Sequence, residues 1–288
     1  MYRSTAAREA TTFLALVYSM ALGIALALPH ADIAPLLSVL VPVVSVAIIT
    51  FAGHRRGHRR ALWRSVGLGS AGLRSWLSAI VMPIVFLTVA YGTAILLGLA
   101  SVRGADTSVS ALASNGADLA ISLVLGSVLI LGEEIGWRGY LLPRLQQLGS
   151  RRRSAVTTGF LHGLFHLPLI LLTTTYDSIG NRFIVAPIVV VTITSAGVFY
   201  AWLKDRSGSI WPVAIAHNTA NTVFDIGAAA TITSSPAALA YTAGESGIAT
   251  MLVVTGFAVC LLARSSVWDK PATVVDLGRP QRVLSEVA

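Results

Sequence analysis

The sequence predicts an all-α polytopic membrane protein with about eight transmembrane helices. Of 288 residues, 55% are hydrophobic and only 12% charged, about half the ~25% charge of a soluble domain. The mean hydropathy is +0.74, and the apolar residues gather in runs near the ~20 residues that span ~30 Å of hydrocarbon. The short alternating strands of a membrane barrel are absent, which leaves helices as the structure that satisfies its own backbone in lipid. The same composition excludes a disordered or collagen-like chain. The single cysteine, Cys260, excludes a disulfide framework and any cysteine-based metal cluster. Net charge is +8, from 21 basic and 13 acidic residues. In so apolar a chain the basic residues mark cytoplasmic loops rather than a nucleic-acid surface.

The expected spans are residues 11–29, 33–52, 76–100, 117–137, 155–173, 184–203, 210–231 and 247–263. The first follows Arg3 and Arg8 and ends in Ala25-Leu26-Ala27, which resembles a signal-peptide cleavage site. Its apolar run exceeds a usual signal core, so it reads as an uncleaved helix. The second runs into Arg55, Arg56, Arg59, Arg60 and Arg64, and the third begins just after Arg74. The fourth and seventh are the weakest, because they carry carboxylates or histidine. The fifth follows Arg151, Arg152 and Arg153, the sixth stops at Lys204, and the eighth stops at Arg264. Residues 1–264 therefore form one transmembrane domain, and 265–288 form a cytoplasmic polar tail.

Charge tests this layout. With eight spans both termini share a side with the loops after spans two, four and six. That side collects 19 of the 21 Lys and Arg, with Arg138 and Arg144 counted in the loop after span four; Arg103 and Arg182 lie opposite. The positive-inside rule makes both termini cytoplasmic. The short loops and lack of compartment signals suggest a bacterial plasma membrane, with membrane lipid and a membrane-associated peptide or protein as partners.

Ionisable side chains cost about 2.5–3.5 kcal/mol each inside a span, so those present are candidates for function. In span four, Glu134 and Arg138 are i, i+4 and share a face, so they can pair. Glu133 points ~100° away, which leaves one carboxylate available as a general base. The bland alternative is a helix end solvated at the interface. In span five His162 and His166 are i, i+4, with Pro168 loosening the helix just beyond. His166 lies ~18 Å from the cytoplasmic end; the bland alternative is a satisfied packing histidine. In span seven His217 and Asn221 repeat the i, i+4 spacing and Asp225 extends that face; the bland alternative is polar glue between helices. Together they put a carboxylate, imidazoles and an amide in the cytoplasmic half of the membrane, the inventory of a hydrolase that activates water.

These residues resemble the CPBP family of intramembrane proteases, which includes the CAAX prenyl endopeptidase of the Rce type and bacterial Abi proteins. The family pattern Glu-Glu-x-x-x-Arg, aromatic-x-x-x-His and His-x-x-x-Asn reads here as Glu133-Glu134 to Arg138, then His166, then His217 to Asn221. The likeness covers about residues 120–225. It departs at His162, which stands where the family usually has Phe or Trp.

The resemblance implies peptide-bond cleavage at the membrane by a CPBP-like helical bundle. Glu133 and His166 would hold and deprotonate water, His217 and Asn221 would stabilise the oxyanion, and Glu134 with Arg138 would support them. No metal is favoured, and His162 is expected to serve packing or tuning. A zinc site of Glu133, His162, His166 and His217 is the near alternative. A non-catalytic immunity or transport protein is the distant one. No serine or cysteine nucleophile motif and no His-Glu-x-x-His are present.

Overall fold

The structure, a computed structural model, describes residues 2–53, 56–104, 108–174 and 180–269. The expected polar tail from Lys270 onward, with Arg279 and Arg282, lies outside the described residues, as does Arg55. Helices α1 (Tyr2–Ala27) and α2 (Ile33–Gly53) are followed by the short α3 (Arg56–Val66) and by α4 (Trp76–Leu96). Then come α5 (Val109–Glu134), a π-helical turn (Ile135–Leu141) and α6 (Leu142–Leu148). Helices α7 (Arg151–Phe165), α8 (Leu167–Leu172), α9 (Arg182–Ser207), α10 (Trp211–Ala229), α11 (Pro236–Ala243) and α12 (Ile248–Arg264) complete the bundle. One two-residue antiparallel pair, β1 (Ser101–Val102) with β2 (Thr231–Ile232), ties the loop after α4 to the end of α10.

Among the described residues, seven helical segments are long and apolar enough to cross a membrane. They correspond to seven of the eight expected spans. The remaining one, the expected seventh span, is α10, which is helical but falls short in apolarity, since it carries His217, Asn218, Asn221 and Asp225. The chain is thus an all-α polytopic membrane protein. Large apolar side chains such as Leu40, Val44 and Ile48 on α2 and Leu77 and Ile84 on α4 are exposed, as lipid-facing positions should be.

Span four needs correction. It does not end at residue 137 but continues as one 35-residue segment, Ser114–Leu148. Arg138 is therefore no loop residue; it is fully buried, as are Trp137 and Tyr140. A sequence rule ends a span at its first charges, but here the charges are neutralised inside the protein. The π turn widens the helix at this point, a feature that often marks functional sites. Gly136 allows it, because a Cβ there would run into Pro42 and Phe13. Arg144 is also withdrawn from the loop. Its Nε donates to Glu9 at 2.7 Å, and its guanidinium lies over the Tyr140 ring, fastening α6 to α1.

Helix α7 packs closely on α9 because its glycines are spaced as Gly159-x-x-x-Gly163, a close-approach motif of membrane helices. A Cβ at Gly159 would stand 2.5 Å from the Thr194 carbonyl oxygen, and one at Gly163 would stand 2.9 Å from that of Val190. Helix α10 sits against both α4 and α5, with Asn218 Nδ2 donating to the Ser122 carbonyl at 3.0 Å. Helices α5, α7, α9 and α10 thereby surround a buried polar cluster.

Candidate active site

Each polar residue reaches the centre for a local reason. Glu133 and Glu134 close α5 where the π turn begins, so both face inward; they are 3% and 0% exposed. Helix α7 ends at Phe165 and α8 restarts at Leu167, so His166 occupies the break. Pro168 at the second position of α8 has no N–H to continue the ladder, which accounts for the interruption. His217 and Asn221 come from one face of α10.

The two carboxylates have different surroundings. Arg138 Nη1 donates to Glu134 Oε1 and Oε2 at 3.0 and 3.1 Å, the pair that the i, i+4 spacing predicts. Glu134 Oε1 also accepts from His217 Nδ1 at 2.8 Å. Glu134 therefore orients His217 as well as neutralising Arg138. Glu133 has looser company: its Oε2 lies 3.4 Å from His162 Nε2 and 3.8 Å from His217 Nε2. His162 turns inward from α7 to come this close to Glu133. The His162 ring stacks on Trp137, with centroids 4.8 Å apart. Arg138 Nη1 reaches its Nδ1 at 3.0 Å, and His166 Nε2 stands 3.4 Å from its Nε2.

Two cavities meet at this cluster. One, of ≈ 80 Å³, is apolar and includes Phe86, Phe199, Tyr200 and Val254 in its wall. The other, of ≈ 270 Å³, is more polar and is lined by Ser38, Glu133 and Asp225 among others. His166, His217, Asn221, Phe224 and Glu245 border both. The structure thus brings Glu133, His162, His166 and His217 together, with Asn221 on the shared wall.

Two wall residues escaped the sequence reading. Tyr200 on α9 stacks on His217 (5.3 Å, 22°) and lies beneath the Arg138 guanidinium at 5.0 Å. Nothing in the sequence separates it from other span aromatics. Glu245, between α11 and α12, did leave a signal: it is the one carboxylate in the long apolar stretch between Asp225 and Asp269.

Glu133, His162 and His166 have ligand atoms within 4.8 Å of one another, close enough for a metal ion. The surroundings of His162 do not suit that role. A neutral imidazole that coordinates through Nε2 carries its proton on Nδ1, and here Nδ1 faces an Arg138 donor at 3.0 Å. Two donors would oppose each other.

A membrane-embedded helical bundle enclosing carboxylates, imidazoles and an amide beside an apolar cavity has the fold and site chemistry of a membrane protease. Residues 115–223 match the family model described as type II CAAX prenyl endopeptidase, Rce1-like. That segment, which holds all three polar motifs, is similar to the CPBP/CAAX protease family. No curated protein matches the chain.

Proposed function

We propose that the protein is an intramembrane endopeptidase that cleaves a membrane-associated peptide with a water activated by Glu133 and His166. The observation that supports this reading best is the meeting of Glu133, His166, His217 and Asn221 where the two cavities join. Water between Glu133 and His166 attacks the scissile carbonyl carbon, and its proton passes to the Glu133 carboxylate. The carbonyl oxygen becomes an oxyanion, with the Asn221 amide and His217 Nε2 as donors. His217 Nδ1–H donates a hydrogen bond to the Glu134 carboxylate, so Nε2 serves as that donor when the ring holds both protons, and Glu134 is the partner for that charge. Donors of this kind are worth ~2.7–4 kcal/mol each where water is scarce. Collapse breaks the C–N bond, and Glu133 returns the proton to the leaving amine.

Zinc-dependent cleavage is the second reading, favoured by the closeness of the Glu133, His162 and His166 ligand atoms. The experiment uses purified protein in liposomes with quenched peptides, one carrying a prenylated cysteine near its C terminus and one unmodified but membrane-anchored. Cleavage of either is expected to survive thorough chelation, with well under one zinc per chain. Stoichiometric zinc whose removal reversibly stops cleavage would replace the glutamate mechanism with the metal one.

We place the protein in a bacterial plasma membrane with both termini cytoplasmic. Removing the buried Arg138 and Arg144 from the loop count still leaves 17 of the 21 basic residues on that side. Reporters fused at Met1 and Ala288 are expected in the cytoplasm, and one inserted near Arg103 outside it. Termini found on opposite sides would overturn the eight-span layout.

A further inference from the structure

We propose that His162 is a positioning residue whose single N–H holds Glu133 and His166 in register, and that it does not ligate a metal. The inference rests on the hydrolase reading above and assigns a role to the position where this chain departs from its family.

The argument starts at Arg138. A guanidinium has five donors, no acceptor, and stays protonated in proteins. Its Nη1 lies 3.0 Å from His162 Nδ1, so Nδ1 must accept. His162 is then neutral and carries its one proton on Nε2. A doubly protonated ring would set N–H against N–H at Nδ1, as would a ring bound to metal through Nε2. The ring has little freedom to turn away: it is 1% exposed, stacked on Trp137, and flanked by Phe165 at 6.4 Å. Arg138 is fixed in turn by Glu134 and by the Tyr200 ring beneath it. A Cβ at Gly197 would come within 2.9 Å of its Nη2, so the guanidinium fills the α7–α9 contact.

The Nε2 proton therefore points into the site. Glu133 Oε2 and His166 Nε2 each lie 3.4 Å from the His162 Nε2 nitrogen, and both are acceptors. His166 accepts there with its Nε2 lone pair, which leaves its own proton on Nδ1. These separations exceed the usual 2.7–3.2 Å, as is common before substrate tightens a site. A phenylalanine at 162 would keep the stack on Trp137 but offer neither the acceptor for Arg138 nor the donor for Glu133 and His166.

The test exploits amide geometry. A glutamine amide nitrogen can stand near the place of Nε2, while an asparagine amide oxygen can stand near that of Nδ1. His162→Gln keeps the donor, His162→Asn keeps the acceptor, and His162→Phe keeps only the stack. In the liposome assay, His162→Gln is expected within about tenfold of wild type. The other two should lose about 10²-fold in kcat with KM little changed, the scale of a small misplacement of reacting groups. Wild-type activity in His162→Phe would make the residue mere packing. Activity kept by His162→Asn and lost by His162→Gln would confine it to satisfying Arg138. Equal loss in all three together with loss of bound zinc would make it a ligand. Nitrogen-15 NMR of labelled histidines reads the tautomer in wild-type protein, whatever the variants' folding. An unprotonated Nδ1 on His162 is expected, and a protonated one overturns the proposal. Wild-type protein that cleaves neither peptide would sink the hydrolase reading, while the tautomer assignment would still stand or fall on the NMR.

Discussion

Glu133→Gln is expected to lower kcat for peptide cleavage by about 10³-fold, within the 10²–10⁴ range of a lost general base. The amide cannot take a proton from water, yet it nearly matches the carboxylate in shape. Stability should barely change. Glu133 Oε2 stands 3.4 Å from His162 and 3.8 Å from His217, and removing a loosely partnered buried charge costs little or even stabilises. Cleavage rate and thermal melting, measured on the same purified sample, check both halves. A variant that retains wild-type cleavage would remove Glu133 as the base. A melting temperature lowered as far as in variants at Glu134 would mean that the two carboxylates are structurally equivalent.

The contrast between these neighbours was partly legible in the sequence. Helical spacing alone puts Glu134 over Arg138 and swings Glu133 aside, and the structure has that arrangement. The second partner of Glu134 was out of reach, because His217 lies 83 positions further along the chain and only packing of α10 against α5 brings its Nδ1 to the carboxylate. Arg138 shows the opposite failure. Counting charges places it in a loop, since an arginine after an apolar run usually marks the membrane surface. Burial overrides that rule because a carboxylate, an imidazole nitrogen and an aromatic face surround it.

His162 is where local reading ran out in a different way. At a position where relatives usually carry an aromatic, it reads first as a ring for packing or tuning and second as a ligand. Its chemistry depends on which atom of which helix meets Nδ1, and that is decided by the approach of α7 to α9 and the slot this leaves for Arg138. The glycines responsible are visible in the sequence as a small-residue motif, but not the guanidinium that occupies the contact. Tyr200 was hidden for a similar reason, since a tyrosine in a span carries no mark of what it stacks on.

The buried pair gives the second large effect. Glu134→Ala is expected to destabilise the protein by about 3–5 kcal/mol, the cost of leaving one member of a buried pair uncompensated. Arg138 is the residue stranded, since it is 0% exposed and its Nη1 bonds both Glu134 oxygens. Activity should fall with it, because His217 loses the acceptor that fixes its ring. Adding Arg138→Met separates the two losses. Replacing both charges with apolar groups removes the stranded cation, and such exchanges are often neutral or stabilising. The double variant should therefore recover much of the lost stability, giving a coupling energy well above the ~0.5 kcal/mol seen for independent sites. Cleavage should stay as low as in Glu134→Ala or lower, since His217 still lacks its acceptor and His162 now lacks Arg138. Melting curves and cleavage rates for wild type, both single variants and the double complete the cycle. Additive stability losses would show that the pair is not coupled. Restored cleavage in the double variant would show that Glu134 serves only to neutralise Arg138 and has no part in orienting His217.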